Sequence, residues 1–146
     1  MPREKRPFAV LLVDDNQLDR ELARECLLQA WPVEPKIEVE EASNGPEALR
    51  KVHARKPELI LLDWRLPEMG NGEVLKLLVS EGIRVPVVVF SGLSRRDIIE
   101  DLNALGATYV HKDELTSLTL YLAIADALRL QGNATRTVFP YQDNLA

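Results

Sequence analysis

Cysteine is nearly missing from this chain: one residue in 146, so no internal disulfide can form and a secreted disulfide scaffold is excluded. Long apolar runs are missing too. Phe8–Val13, Leu59–Leu62 and Val85–Phe90 all fall far below the roughly 18 residues that a membrane span needs. The N-terminus reads MPREKRP before a six-residue apolar stretch, too short for the hydrophobic region of a secretory signal. There is no internal repeat and no low-complexity tract. Basic charge is also in deficit. With 18 Lys+Arg against 23 Asp+Glu the net charge is −5, and Arg3, Lys5 and Arg6 cluster in a short lead-in, residues 1–7, leaving the body more acidic still. An acidic body lacks the footprint that direct nucleic-acid binding requires. The expectation is a soluble, intracellular, cytoplasmic protein with no nucleic-acid or membrane partner.

What is present is enough apolar residue, 46%, and enough length for one folded domain. Three apolar runs without alternation, at 8–13, 59–62 and 85–90, suit strands buried on both faces. Ile37-Glu38-Val39-Glu40 alternates, as an edge strand does. Thr108–Val110 is a fifth, short strand. Between them lie helical patterns: Leu18, Leu22, Cys26, Leu27 and Ala30 up to Trp31-Pro32; Glu47–Ala54 after the Asn44-Gly45-Pro46 turn; Glu73–Ser80; Ile98, Leu102 and Leu105 up to Gly106; and Glu114–Leu130. Strand and helix alternate five times, which predicts an α/β fold: a doubly wound, flavodoxin-like parallel sheet of order 2-1-3-4-5 over residues 8–131. Residues 132–146 show no helix pattern and read as a tail or linker.

In such a sheet ligands bind beyond the carboxyl ends of the strands. The polar residues fall there. The first strand ends in Asp14-Asp15, the third in Asp63, the fourth in Ser91-Gly92 and the fifth in Lys112. Each has an ordinary explanation alone: an N-cap, a loop start, a solvated charge. Nothing structural demands three acids, a hydroxyl and a lysine at the same ends of four strands. Three converging carboxylates repel, and a divalent cation relieves the conflict; oxygen ligands with little Cys or His nearby favour Mg²⁺ over zinc. A carboxylate can then accept a phosphoryl group, with Lys112, the Ser91 hydroxyl and the backbone near Gly92 meeting its charge.

With LLVDDN at 11–16, ASNGPEAL at 42–49, LILLDWRLPEM at 59–69, VVVFSG at 87–92 and GATYVHK at 106–112, the sequence resembles the receiver domain of two-component response regulators, of the single-domain chemotaxis type. The resemblance implies that Asp63 is the phosphoacceptor. It implies that Asp14 and Asp15 hold Mg²⁺ with Asp63 and the Arg65 carbonyl, Asp15 being the more direct ligand. It further implies that Ser91 and Lys112 meet the phosphoryl group, and that Tyr109 swings inward with Ser91. The implied function is a switch that takes a phosphoryl group from a histidine kinase or histidine phosphotransfer protein and changes the face of helix four, strand five and helix five, which is also a candidate homodimer surface. Beyond transfer to its own Asp63 and slow hydrolysis, no turnover enzyme is expected. The alternative is a phosphorylation-independent scaffold. A Mg²⁺-dependent phosphohydrolase and a flavin-binding fold fit less well, the first because its acids are spaced differently, the second because Asp14-Asp15-Asn16 repels phosphate.

Departures from the family pattern are a loop at Gly70-Asn71-Gly72 one residue longer, Asp113 where many members carry Pro, and Ser91 for the commoner Thr. Arg65 and Leu93 at the positions that tune dephosphorylation imply a long-lived phosphoryl group. Elsewhere, Cys26 reads as core, His53 as exposed, His111 as turned from the site and Trp64 as partly exposed. Leu120 and Ile124 are either a partner patch or part of a broad core stripe.

Overall fold

The computed structural model describes residues 6–31 and 36–130. The elements run β1 (Phe8–Val13), α1 (Gln17–Ala30), β2 (Ile37–Ala42), α2 (Gly45–Ala54), β3 (Leu59–Asp63), α3 (Glu73–Ser80), β4 (Val87–Ser91), α4 (Arg95–Leu105), β5 (Thr108–His111), a 3₁₀ turn (Lys112–Glu114) and α5 (Ser117–Leu130). The strands form one parallel sheet of order β2-β1-β3-β4-β5, as the pattern predicts.

Side chains on a strand alternate between faces, and here both faces are covered. Phe8, Val10 and Leu12 of β1, Leu59 and Leu61 of β3, and Val88 and Phe90 of β4 pack with α1 and α5. Leu11, Val13, Ile60, Leu62, Val87 and Val89 pack with α2, α3 and α4. β3 and β4 are therefore buried throughout, whereas β2, on the edge, alternates between exposed glutamates and half-buried Ile37 and Val39. The lead-in up to residue 5 and the tail from residue 131 lie outside the described residues.

Three expectations need correction, and one choice left open is resolved. First, the fifth helix begins at Ser117, not Glu114: residues 112–114 turn as 3₁₀, and Thr116 and Thr119 cap the helix reciprocally, each hydroxyl accepting the other's backbone N–H (3.0 and 2.9 Å). Second, of the two readings of Leu120 and Ile124 the broad core stripe holds, at 1% and 0% exposure; Leu118, Leu122 and Leu130 are the outward leucines. Third, the buried stripe of α1 is Ala23, Leu27 and Ala30, with Cys26 half-buried beside it, while Leu18 and Leu22 are 70% and 58% exposed. Fourth, Trp64 is buried at 2%. Its ring lies under Gly72, where a Cβ would come within 2.2 Å of Trp64 Cη2, and Gly72 has φ +74°. The Gly70-Asn71-Gly72 segment thus closes over the indole, and only glycine meets both demands at residue 72.

Candidate functional site

The sheet register carries four strand ends to one edge. Val13 is level with Leu62, Asp63 with Phe90, and Ser91 with His111. Asp14 follows β1 directly, its N–H donating to the Ala42 carbonyl at the end of β2 (3.1 Å). Asp14 is fully buried; Asp63 and Ser91 are buried too. Asp15 is exposed, as the next residue out of the strand.

The acids are held by backbone. Asp14 Oδ1 accepts from Asn16 N (2.9 Å), and Asp63 Oδ1 accepts from Arg65 N (3.1 Å). Lys112 reaches between them. Its Nζ lies 2.9 Å from Asp14 Oδ2 and 3.2 Å from Asp63 Oδ2, with the Phe90 ring 5.4 Å away on the sheet below. It is also 2.9 Å from Asp19 Oδ2, in the first turn of α1. Burial, and then the charge of Asp14, push the Asp63 carboxyl up to about 7, against the pull of Lys112 and the Arg65 N–H. Lys112 is drawn down by burial but held above the ordinary lysine range by its contacts with Asp14 and Asp19 and by the charge of Asp63.

One lysine does not satisfy three acids. Asp14, Asp15 and Asp63 each offer a carboxylate oxygen, all within 4.8 Å of one another. Asp14 Oδ2 is buried, and although Lys112 is close, no donor is aligned on it as a hydrogen bond. A buried carboxylate oxygen without an aligned donor, beside a carboxyl forced toward its neutral form, suits a hard divalent cation.

Ser91 and Tyr109 meet at one residue of the β4–α4 loop. Ser91 Oγ accepts from Leu93 N (3.1 Å), and the Tyr109 hydroxyl donates to the Leu93 carbonyl. Ser91 is thus engaged with its own loop rather than with Asp63. Gly92 is exposed, and a Cβ there would meet nothing within 4 Å, so packing does not require its smallness. Arg65 is exposed. His111 accepts from Asp113 N (3.0 Å) through Nδ1, and exposed His53 pairs with Glu81.

Sequence reasoning missed two residues. Asp19 touches Lys112, and Arg20 donates to the Asp14 carbonyl (2.7 Å) while pairing with Glu41 (2.9 Å). Both lie in the first helical turn after Asp14-Asp15; an acid and a base at that point are ordinary for any helix start.

A family model for the response regulator receiver domain matches residues 10–122. The chain belongs to that family. A protein-glutamate methylesterase/protein-glutamine glutaminase from Nocardioides sp. is 38% identical over 99 residues, covering 67% of this chain and 26% of that protein. The receiver thus spans about a quarter of that relative's length, and the esterase and glutaminase named for it are not carried over. Among solved structures, the chemotaxis protein CheY4 of Vibrio cholerae matches with a TM-score of 0.66 and 26% identity, covering 79% of this chain and 93% of that one. The receiver domain of a LuxO-type repressor protein from Vibrio parahaemolyticus matches with a TM-score of 0.74 over 96% and 98% of the two chains; at 21% identity it speaks for the fold alone. Receiver domains serve phosphorylation-dependent two-component signalling. No helix among the described residues is long and apolar enough to cross a membrane.

Proposed function

We propose that this receiver is a switch thrown by phosphorylation of Asp63. The observation that carries the reading is the contact of Lys112 with Asp14 and Asp63, at a strand edge where Asp15 adds a third acid. One carboxylate oxygen of Asp63 attacks the phosphorus of a phosphohistidine. The O–P bond forms as the P–N bond breaks, and the imidazole leaves with the electron pair and takes up a proton. Asp14, Asp15 and Asp63, with the Arg65 backbone carbonyl, are the ligands for Mg²⁺. When bound, Mg²⁺ supplies positive charge against both the acids and the phosphoryl group in transfer. Lys112 donates to a phosphoryl oxygen, and the Gly92 backbone approaches another.

The switch reads out through Leu93. For the Ser91 hydroxyl to turn to the phosphoryl group it must release Leu93 N, and the Tyr109 hydroxyl is bonded to the carbonyl of that same residue. Movement of Ser91 is thereby felt at Tyr109, on the face of α4, β5 and α5 where Arg95, Leu122, Asp126 and Arg129 line a shallow depression. That face is the proposed output and homodimer surface. The phosphodonor is a cytoplasmic histidine kinase or phosphotransfer protein, and the exposed Leu18 and Leu22, on α1 just past Asp15, offer it an apolar seat. Arg65 and Leu93 beside the site are proposed to slow the approach of hydrolytic water.

The test is incubation with Mg²⁺ and acetyl phosphate, followed by intact mass. Wild type gains one phosphoryl group and Asp63→Asn gains none. A folded wild type that stays unmodified favours a phosphorylation-independent scaffold.

A further inference from the structure

An ammonium has three N–H bonds, and three carboxylates surround that of Lys112: Asp14 and Asp19 at 2.9 Å, Asp63 at 3.2 Å. On the reading above, two of the three are engaged elsewhere during the reaction. Asp63 becomes the acyl phosphate, and Asp14 is committed to the cation. Asp19 belongs to neither role, since the acids grouped tightly enough to share a cation are Asp14, Asp15 and Asp63. Among the described residues, no other carboxylate outside that trio is within ion-pair distance of Lys112.

Asp19 is also well fixed. It sits in the first turn of α1, where the Asn16 side chain accepts its N–H (2.9 Å), and the adjacent Arg20 ties the same turn to the Asp14 carbonyl and Glu41. Lysine, in contrast, carries its charge on a flexible four-carbon stem, so the ammonium must be held if it is to act at one point.

We infer that Asp19 is the positioning residue for Lys112, keeping its ammonium beside Asp63 while the other two carboxylates are engaged. The inference rests on the phosphoacceptor reading of Asp63. Such positioning acts on the reaction of the bound donor more than on donor binding.

Asp19→Asn keeps the size of the side chain and removes its charge. With Mg²⁺ and acetyl phosphate its saturating rate of Asp63 phosphorylation falls about three- to tenfold, while the donor concentration for half-saturation holds. Asp19→Glu recovers part of the loss. Lys112→Ala is slower still, and adding Asp19→Asn to it changes nothing further. A structural defect in α1 would instead add its loss in the Lys112→Ala background and lower the melting temperature. A rate for Asp19→Asn equal to or above wild type, or full additivity with Lys112→Ala, overturns the inference. Should wild type take no phosphoryl group, the phosphoacceptor reading fails, and Asp19 is judged on a second measurement: acylation of Lys112 by an amine-reactive reagent in saturating Mg²⁺, read by peptide mass. Release of Lys112 in Asp19→Asn raises that labelling about threefold; unchanged labelling rejects the positioning role.

Discussion

The interiors of β1, β3 and β4 and their carboxyl ends lie within a few residues of each other and obey opposite rules. Inside the sheet, Leu12, Leu61 and Val89 meet only apolar neighbours on both faces and nothing is in conflict. One residue past the end of β1, Asp14 is just as buried, and it faces another carboxylate. The first region stabilises the fold by removing apolar surface from water. The second works against the fold, and it persists because that same rigid sheet holds it together. In this receiver the sheet core supplies the stability against which the site's strain is set.

The contrast can be broken from either side. The largest effect belongs to the interior: Leu61→Ala removes a side chain 1% exposed and should destabilise by about 3–5 kcal/mol in urea unfolding. Whatever molecules remain folded should still take a phosphoryl group. Next is Lys112→Ala. Without Mg²⁺ it leaves Asp14 and Asp63 facing each other unneutralised, for a loss of about 2–3 kcal/mol at pH 8, discounted because the Lys112 side chain is partly exposed. Added Mg²⁺ should shrink that loss.

Asp63→Asn should have the opposite sign. It removes one of two repelling buried charges and is expected to gain about 1–2 kcal/mol at pH 8 in Mg²⁺-free buffer while abolishing phosphorylation. The pH dependence sharpens this. The folded carboxyl is raised from 3.8 to about 7, so the folded state binds the Asp63 proton more tightly than the unfolded chain does. Its contribution to stability is complete below about pH 4 and is lost as the pH rises through about 7. Mg²⁺-free wild type should therefore lose stability relative to Asp63→Asn across that window. Calorimetry near pH 6.5 in buffers of different ionisation enthalpy should show proton release on Mg²⁺ binding as heats that vary with the buffer; equal observed heats in all the buffers would contradict it.

The smallest effect on stability is expected at the surface. Leu18→Ala and Leu22→Ala should shift unfolding by less than about 0.5 kcal/mol, since both side chains are already largely in water. Phosphorylation by acetyl phosphate should be unchanged, whereas transfer from a phosphohistidine protein should slow if α1 seats the donor.

Much of this molecule is written in local pattern. Unbroken apolar runs mark β1, β3 and β4, alternation marks β2 as an edge, and the polar residues that follow each run are the ones gathered at the site. The residues that local pattern misjudged or left open share a cause. Leu18 and Leu22 repeat at helical spacing, but they lie on the side of α1 turned away from the buried Ala23, Leu27 and Ala30. Leu120 and Ile124 fall on the stripe of α5 that the sheet does cover. Trp64 looks like a loop aromatic until the segment around Gly72 folds back on it. Asp19 resembles any helix-start acid until Lys112, just past β5, is brought against it, and Arg20 resembles any helix base until Glu41 of β2 is.

The sequence by itself determined the order of elements, the parallel sheet and the residues at its carboxyl edge, because strand and helix periodicity and the polar ends of apolar runs are properties of neighbours in the chain. Only the tertiary structure decided which leucines are covered, that Ser91 and Tyr109 meet at Leu93, and that Lys112 is shared by three acids, one just after β1, one in α1 and one at the end of β3. The Lys112–Asp19 contact alone joins residues 93 positions apart. Whether such contacts form depends on where the packed sheet carries each residue, which no local pattern contains.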